Sequence, residues 1–210
     1  MTEDERASHW NRAYAAKPIG RLGWYRPRLE RSLAWIEWLD LPKATPLIDI
    51  GGGASSLVDD LLEEGYRDIA VLDVSATALA HAKARLGERS QAVRWIVADV
   101  TAADLPASAY ALWHDRAVFH FLVDAGERER YRAALAHSLE PGGYLLIGTF
   151  APDAPPRCSG LPVERYNRDK LVTEFGDDFA LLDSVEEMHV TPGGVEQNYL
   201  YCLFRYDRRD

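Results

Sequence analysis

The chain has 210 residues, enough for one domain with a sizeable core, and its 47% hydrophobic and 27% charged residues are those of an ordinary globular protein. Lysine and arginine number 24 against 33 aspartates and glutamates, a net charge of −9 that repels phosphate backbones and argues against nucleic acid as a partner. No apolar run approaches membrane-spanning length and the acidic start Met1-Thr2-Glu3-Asp4-Glu5-Arg6 lacks the apolar core of a secretory signal, so no membrane partner is expected and the cytoplasm is the expected compartment.

The first segment, 1–42, is predicted to be helical. Leu29, Leu33, Trp35, Ile36, Trp38 and Leu39 fall at helical spacings, Pro27 suits a start and Pro42 a stop. An alternation of short apolar runs and amphipathic stretches follows, the pattern of βαβ units around a parallel sheet. Pro46–Ile50 is a buried strand running into three glycines. Ser55–Glu64 is a helix ended by Gly65, and Ile69–Asp73 is the second strand. Ser75 caps a helix carrying Leu79, Ala82 and Leu86, which Gly87 ends. Val93–Ala98 and Tyr110–Trp113 are the third and fourth strands, Glu127–Leu139 is a helix, and Pro141-Gly142-Gly143 turns into the fifth strand, Tyr144–Phe150. Residues 151–166, with four prolines, are predicted to be a rigid irregular loop. A short helix, Arg168–Phe175, and two strands, Phe179–Val190 and Val195–Tyr206, close the chain. Thr191-Pro192-Gly193-Gly194 joins those strands as a hairpin, so the sheet is expected to be parallel except for one strand.

The glycine run is the strongest chemical signal. A buried strand that turns sharply into a helix leaves backbone N–H groups facing outward, and Gly51, Gly52 and Gly53 let both the turn and a ligand come close. Asp73 closes the second strand, where a carboxylate accepts from ribose hydroxyls. These two features alone do not separate a dinucleotide from an adenosyl cofactor. Asp99, closing the third strand, either accepts from an adenine amino group while Val100 packs the ring, or caps the loop toward Thr101. Ser56 stands where a dinucleotide fingerprint has Gly or Ala, and Pro141-Gly142-Gly143 and the terminal hairpin also favour the adenosyl cofactor over a nicotinamide-dependent oxidoreductase.

With these residues in place, the chain resembles the class I S-adenosylmethionine-dependent methyltransferases over about 10–206. The resemblance rests on Leu47-Ile-Asp-Ile-Gly-Gly-Gly-Ala-Ser55, Val71-Leu-Asp-Val-Ser75, Ala98-Asp-Val100, Trp113-His-Asp-Arg116 and Glu140-Pro-Gly-Gly143, in that order. Many members have a third glycine where this chain has Ser55. The resemblance implies an α/β, three-layer Rossmann-like fold with seven mostly parallel strands, one antiparallel strand from the C-terminal hairpin and helices on both faces. It implies a single domain, 1–210: a helical lid over 1–42, a cofactor-binding core over 43–150, and a substrate loop and hairpin over 151–210. S-adenosyl-L-methionine is the implied cofactor, with Asp49, Gly51, Gly52, Gly53 and Ser55 on its amino-acid part, Asp73 and Val74 on the ribose, and Asp99 and Val100 on adenine. A cofactor-binding module without catalysis is a further alternative, because fold does not set function.

Residues after the fourth and fifth strands are expected beside the methyl group. Asp115 is read as orienting or deprotonating the acceptor, and His120 either as a base or as a packed histidine amid Phe119, Phe121 and Leu122. His114 is a further base candidate, or packs against adenosine. Arg116, Phe150, Tyr14 and Cys158 are placed on the acceptor. The Asp115-Arg116 pair is also similar to the thiopurine and tellurite-detoxifying methyltransferases. Trp10, Tyr14, Trp24 and Tyr25 either pack in the core or form an aromatic lid over the sulfonium, with Trp24 and Tyr25 on the cofactor. This Trp-x-x-x-Tyr and Gly-Trp-Tyr pattern is similar to the opening segment of methyltransferases acting on small molecules or protein lysines. Cys158 and Cys202 have neither zinc-ligand nor disulfide spacing, so no metal is expected. The expected partners are a small-molecule or protein acceptor, neutral or cationic in view of the net charge, with the chain a monomer or homodimer.

Overall fold

The computed structural model describes residues 1–207. Its centre is a seven-stranded sheet. The strands are β1 (Leu47–Ile50), β2 (Ile69–Asp73), β3 (Val93–Val97), β4 (Tyr110–Arg116), β5 (Leu139–Phe150), β8 (Phe179–Val190) and β9 (Glu196–Tyr206), in spatial order β3-β2-β1-β4-β5-β9-β8. Only β9 runs against its neighbours, pairing antiparallel with both β5 and β8. The expected hairpin and its single antiparallel strand are therefore present.

β1 and β2 are buried from end to end, and β4 up to its last residue, because helices cover both faces. One face carries α2 (Glu30–Trp38), α3 (Leu57–Glu63) and α4 (Ala76–Leu86), whose Leu33, Ile36, Leu57, Leu61 and Leu79 pack on Leu47, Val71 and Leu112. The other carries α5 (Ala125–Ser138) and α6 (Arg168–Phe175), whose Tyr131, Leu135, Leu171 and Phe175 meet Ile48, Ile50 and Trp113. The N-terminal helix α1 (Glu3–Ala16) starts with a capping box between Thr2 and Glu5. It joins a third cluster in which Tyr14 and Leu22 pack on Ala54 and Ala78. Among the described residues, no helix is long and apolar enough to cross a membrane.

Four details differ from the sequence reading. Residues 1–42 are two helices separated by a non-helical stretch with one 3-10 turn, Ile19–Arg21, and α2 begins at Glu30 rather than near Pro27. β4 continues past Trp113, because Asp115 and Arg116 extend the ladder to Ile147 and Gly148 of β5. β5 begins at Leu139, so Pro141-Gly142-Gly143 lies within the strand, where the register shifts against β4. Within 151–166, β6 (Arg157–Cys158) and β7 (Leu161–Pro162) form a small hairpin.

Candidate active site

The strand order reverses at β1, which has β2 on one side and β4 on the other. Ligands of open α/β sheets bind in the crevice beyond the carboxyl ends of such strands. Here the loop after β1 lines that crevice with Gly51 and Gly52, and Gly51 and Gly53 stand in the left-handed region, at φ +65° and +38°. A Cβ on Gly51 would run into Val118, and one on Gly53 would lie 2.5 Å from Asp73 Oδ2. Ser55 does not break the loop: its Oγ accepts from Leu57 N at 3.1 Å. Arg85 of α4 holds the loop from behind, donating to the carbonyls of Ala54 at 2.9 Å and Ser55 at 2.6 Å.

The cleft has two arms that share Tyr14, Trp24, Gly51 and Arg116. The narrower one reaches Asp49, Gly52, Ser55, His114, Tyr25 and Arg26. Asp49 and His114 are opposite each other in the β1–β4 ladder. His114 Nδ1 donates to Asp49 Oδ1 at 2.6 Å, and Ser32 Oγ of α2 donates to its Nε2 at 2.9 Å. Asp49 Oδ2 is buried and has no partner. His114 is thus committed to holding Asp49 and is not free to act as a base.

The wider arm encloses about 710 Å³ of empty space, counting its open mouth, and reaches Asp73, Val74, Asp99, Val100, Phe121 and Cys158. Asp73 accepts from Ser75 N at 2.7 Å. Burial, with repulsion from Asp49 adding to it, pushes its carboxyl up to about 7. Asp99 fulfils the capping reading: its Oδ1 accepts from Thr101 N at 2.9 Å and from Thr101 Oγ1 at 2.8 Å. Its other oxygen lies 3.3 Å from Arg6 Nη1, and Arg6 Nη2 also donates to Glu127 at 2.6 Å. Arg6 is itself buried, so α1 is fastened over the ends of β3 and α5. Asn11 adds a second tie by accepting from Ser75 Oγ at 2.8 Å and Thr77 N at 3.2 Å.

The aromatic residues of the N-terminal segment belong to this roof. Trp24 packs edge-on against both Trp10 and Tyr14, with ring centroids 5.4 and 5.5 Å apart, and all three line the wider arm. The Gly23-Trp24 stretch is clasped from below: His189 Nε2 of β8 lies 2.7 Å from Gly23 O, and Arg116 Nη1 donates to Trp24 O at 3.0 Å.

Residues 47–143 match a family model described as a methyltransferase domain. An eEF1A lysine and N-terminal methyltransferase of Mus musculus is 25% identical over 142 residues, 68% of this chain and 20% of that protein. The chain thus spans about a fifth of the length of the first curated relatives it matches. The EEF1A lysine methyltransferase 2 of Homo sapiens is 19% identical over 209 residues, 93% of this chain and 83% of that protein. Among solved structures, the Burkholderia thailandensis 1,6-didemethyltoxoflavin-N1-methyltransferase superimposes with a TM-score of 0.73 at 20% identity. The match covers 99% of this chain and 92% of that one, which holds 1,6-didemethyltoxoflavin and S-adenosylhomocysteine. A SAM-dependent methyltransferase of Methanosarcina mazei gives 0.70 at 16% identity, over 83% of this chain and 98% of that one.

On the expected acceptor side of the cleft, the sequence reading needs correction. Asp115 is fully buried away from the cleft. Its Oδ1 accepts from Val118 N at 3.0 Å, and its Oδ2 accepts from Tyr131 Oη at 2.7 Å and Phe119 N at 3.2 Å. Burial raises its carboxyl to about 6 against these hydrogen bonds. A carboxylate so occupied braces the turn after β4 and touches no acceptor. His120 is also fully buried outside the cleft. Its Nδ1 accepts from Phe150 N at 3.2 Å, and burial pushes the ring down to about 3, so it stays neutral. Phe150 is buried against His120 and Tyr199, behind the cleft wall. Cys158 does line the wider arm, but burial raises its thiol and keeps it protonated. Arg116 lies in the wall of both arms.

Proposed function

We propose that this chain is an S-adenosylmethionine-dependent methyltransferase that transfers a methyl group to a small molecule or a protein side chain. One observation carries the reading. Asp49, Asp73 and Asp99, at or just past the carboxyl ends of β1, β2 and β3, line one cleft around the glycine loop, and Asp49 keeps a buried oxygen without a partner. That orphaned acceptor fits an ammonium group, as on the amino-acid end of the cofactor. Asp73 would take the ribose hydroxyls, and Asp99 with Val100 the adenine. The cofactor, when bound, supplies an electrophilic methyl on a sulfonium.

The protein's own part is alignment and exclusion of water. Trp10, Tyr14 and Trp24 wall the site with aromatic faces and edges. Neither Asp115 nor His120 reaches the cleft, so the reading includes no protein base: the acceptor loses its proton to water or arrives without one. The buried, unpaired state of Cys158 and Cys202 supports a reducing compartment such as the cytoplasm. A sheet whose order ends β5-β9-β8, with β9 antiparallel, departs from the strand order 3-2-1-4-5-6 of the dinucleotide-binding fold and argues against the oxidoreductase alternative.

The test is a titration with S-adenosylhomocysteine and NAD. Adenosylhomocysteine is expected to bind, NAD is not, and Asp73→Ala is expected to weaken binding by about tenfold or more through the lost charge-assisted hydrogen bonds. Binding of NAD alone would overturn the proposal.

A further inference from the structure

Arg116 is the last residue of β4 and forms part of the wall of both arms of the cleft. Its Nε donates to Tyr201 Oη at 2.8 Å and its Nη1 to Trp24 O at 3.0 Å, while Nη2 is buried without a partner. Among the described residues no carboxylate lies within ion-pair distance of it. The contrast with its neighbours is direct. Arg6 has Asp99 and Glu127, and Arg128 has Glu174. Glu187, the carboxylate of β8 on this side, is already shared by Arg26 at 3.0 Å and Arg31 at 3.6 Å.

Glu187 acts on Arg116 only from beyond ion-pair distance, and the groups packed directly behind the guanidinium are neutral. The Tyr199 ring lies beneath the guanidinium, 4.5 Å from its carbon to the ring centroid. The Tyr199 hydroxyl is fully buried and unpartnered, and so is His120 Nε2, which carries the proton of that neutral ring because Nδ1 accepts. A guanidinium does not lose its charge in a protein, so it cannot relieve its burial by deprotonating. Arg116 as a whole is half-buried, and withdrawing even part of such a charge from water without a counter-ion is costly.

We propose that the acceptor of this enzyme carries an anionic oxygen, as in a carboxylate, and that Arg116 holds it. This rests on the methyltransferase reading and narrows it to acceptors bearing a negative charge. A free lysine ammonium placed beside the Arg116 guanidinium would meet a like charge there. The net charge of the whole chain favours the opposite class of acceptor, but an acceptor meets the cleft and not the sum of the surface.

The experiment uses the full chain saturated with S-adenosylhomocysteine and titrates it with benzoate and benzamide, two probes of one shape that differ in charge. Benzoate is expected to bind at least about tenfold more tightly than benzamide, the worth of one charge-assisted contact. Arg116→Gln is expected to erase that difference, and Arg116→Lys to restore part of it. Adenosylhomocysteine affinity is measured in Arg116→Gln as well, because Nη1 also holds Trp24 of the roof, and an unchanged far-ultraviolet circular dichroism spectrum shows that the variant folds. Equal binding of the two probes, or no benzoate binding, would overturn the proposal. So would a variant that loses adenosylhomocysteine and not benzoate, since the guanidinium would then serve the cofactor's own carboxylate. If the wild type binds no adenosylhomocysteine at all, the failure lies instead with the methyltransferase reading beneath it.

Discussion

Asp49 and His114 face each other across the β1–β4 ladder, joined by a 2.6 Å hydrogen bond that leaves one carboxylate oxygen of Asp49 free. The imidazole is fixed in turn by Ser32 of α2, so a helix on the sheet's face sets the direction of an acceptor in the cleft. A ligand-orienting residue of this kind acts at one remove, and its loss is felt in affinity. His114→Ala is expected to weaken adenosylhomocysteine binding by about tenfold, and His114→Asn by less, measured by calorimetry. Wild-type affinity in His114→Ala would show that Asp49 needs no support.

Asp73 sets a pH dependence. Its carboxyl titrates near 7 in the folded chain against an ordinary 3.8, so the folded state keeps a proton that the unfolded state has released. Asp115, raised to about 6, has the same sign. Unliganded stability should therefore fall as pH rises from about 4 to about 7, and Asp73→Asn should flatten part of that fall in thermal melts. Ligand affinity should run the other way. Ribose hydroxyls bond best to the ionised carboxylate, so adenosylhomocysteine is expected to bind more tightly at pH 8 than at pH 6, but with no such gain in Asp73→Asn.

Asp115→Ala separates a brace from a catalyst. It strips Tyr131, Val118 and Phe119 of a buried acceptor, and the expected cost is about 2–4 kcal/mol of stability in urea unfolding. Adenosylhomocysteine affinity of the folded fraction should stay within about threefold of wild type, the scatter ordinary for a site that makes no ligand contact. A stable but inactive variant would restore Asp115 to the chemistry.

Arg6→Met leaves Asp99 and Glu127 buried without their shared cation. Breaking a buried pair from one side costs about 3–5 kcal/mol, and here part of that is lost docking of α1. Release of adenosylhomocysteine is expected to become at least about tenfold faster in stopped-flow measurements, because the roof opens more readily. An unchanged release rate would mean that the ligand leaves without α1 moving.

The sheet and the glycine loop were legible because they depend on short-range pattern. Buried strands appear as apolar runs, and Asp73 and Asp99 stand at or just past their ends. The acceptor side was misread for one traceable reason. Ending β4 at Trp113 discards the two-residue alternation of a strand, which puts Trp113 and Asp115 on the α5 face and His114 and Arg116 on the other. Continuing the strand to Arg116 would have withdrawn Asp115 from the cleft and left Arg116 in it. Arg6, Arg85 and His189 carry no such signal. Each acts on a segment at least 30 residues away in the chain, and only the tertiary fold brings them together.

The ties of α1 have an implication for the order in which the molecule is made. Arg6 reaches a partner 121 residues downstream, and Asn11 one 64 residues downstream. A fourteen-residue helix is marginal in isolation. During synthesis it therefore waits, exposed, until β2, β3 and α5 have emerged and folded to receive it. The helix therefore docks late, although it precedes in the chain every element that receives it.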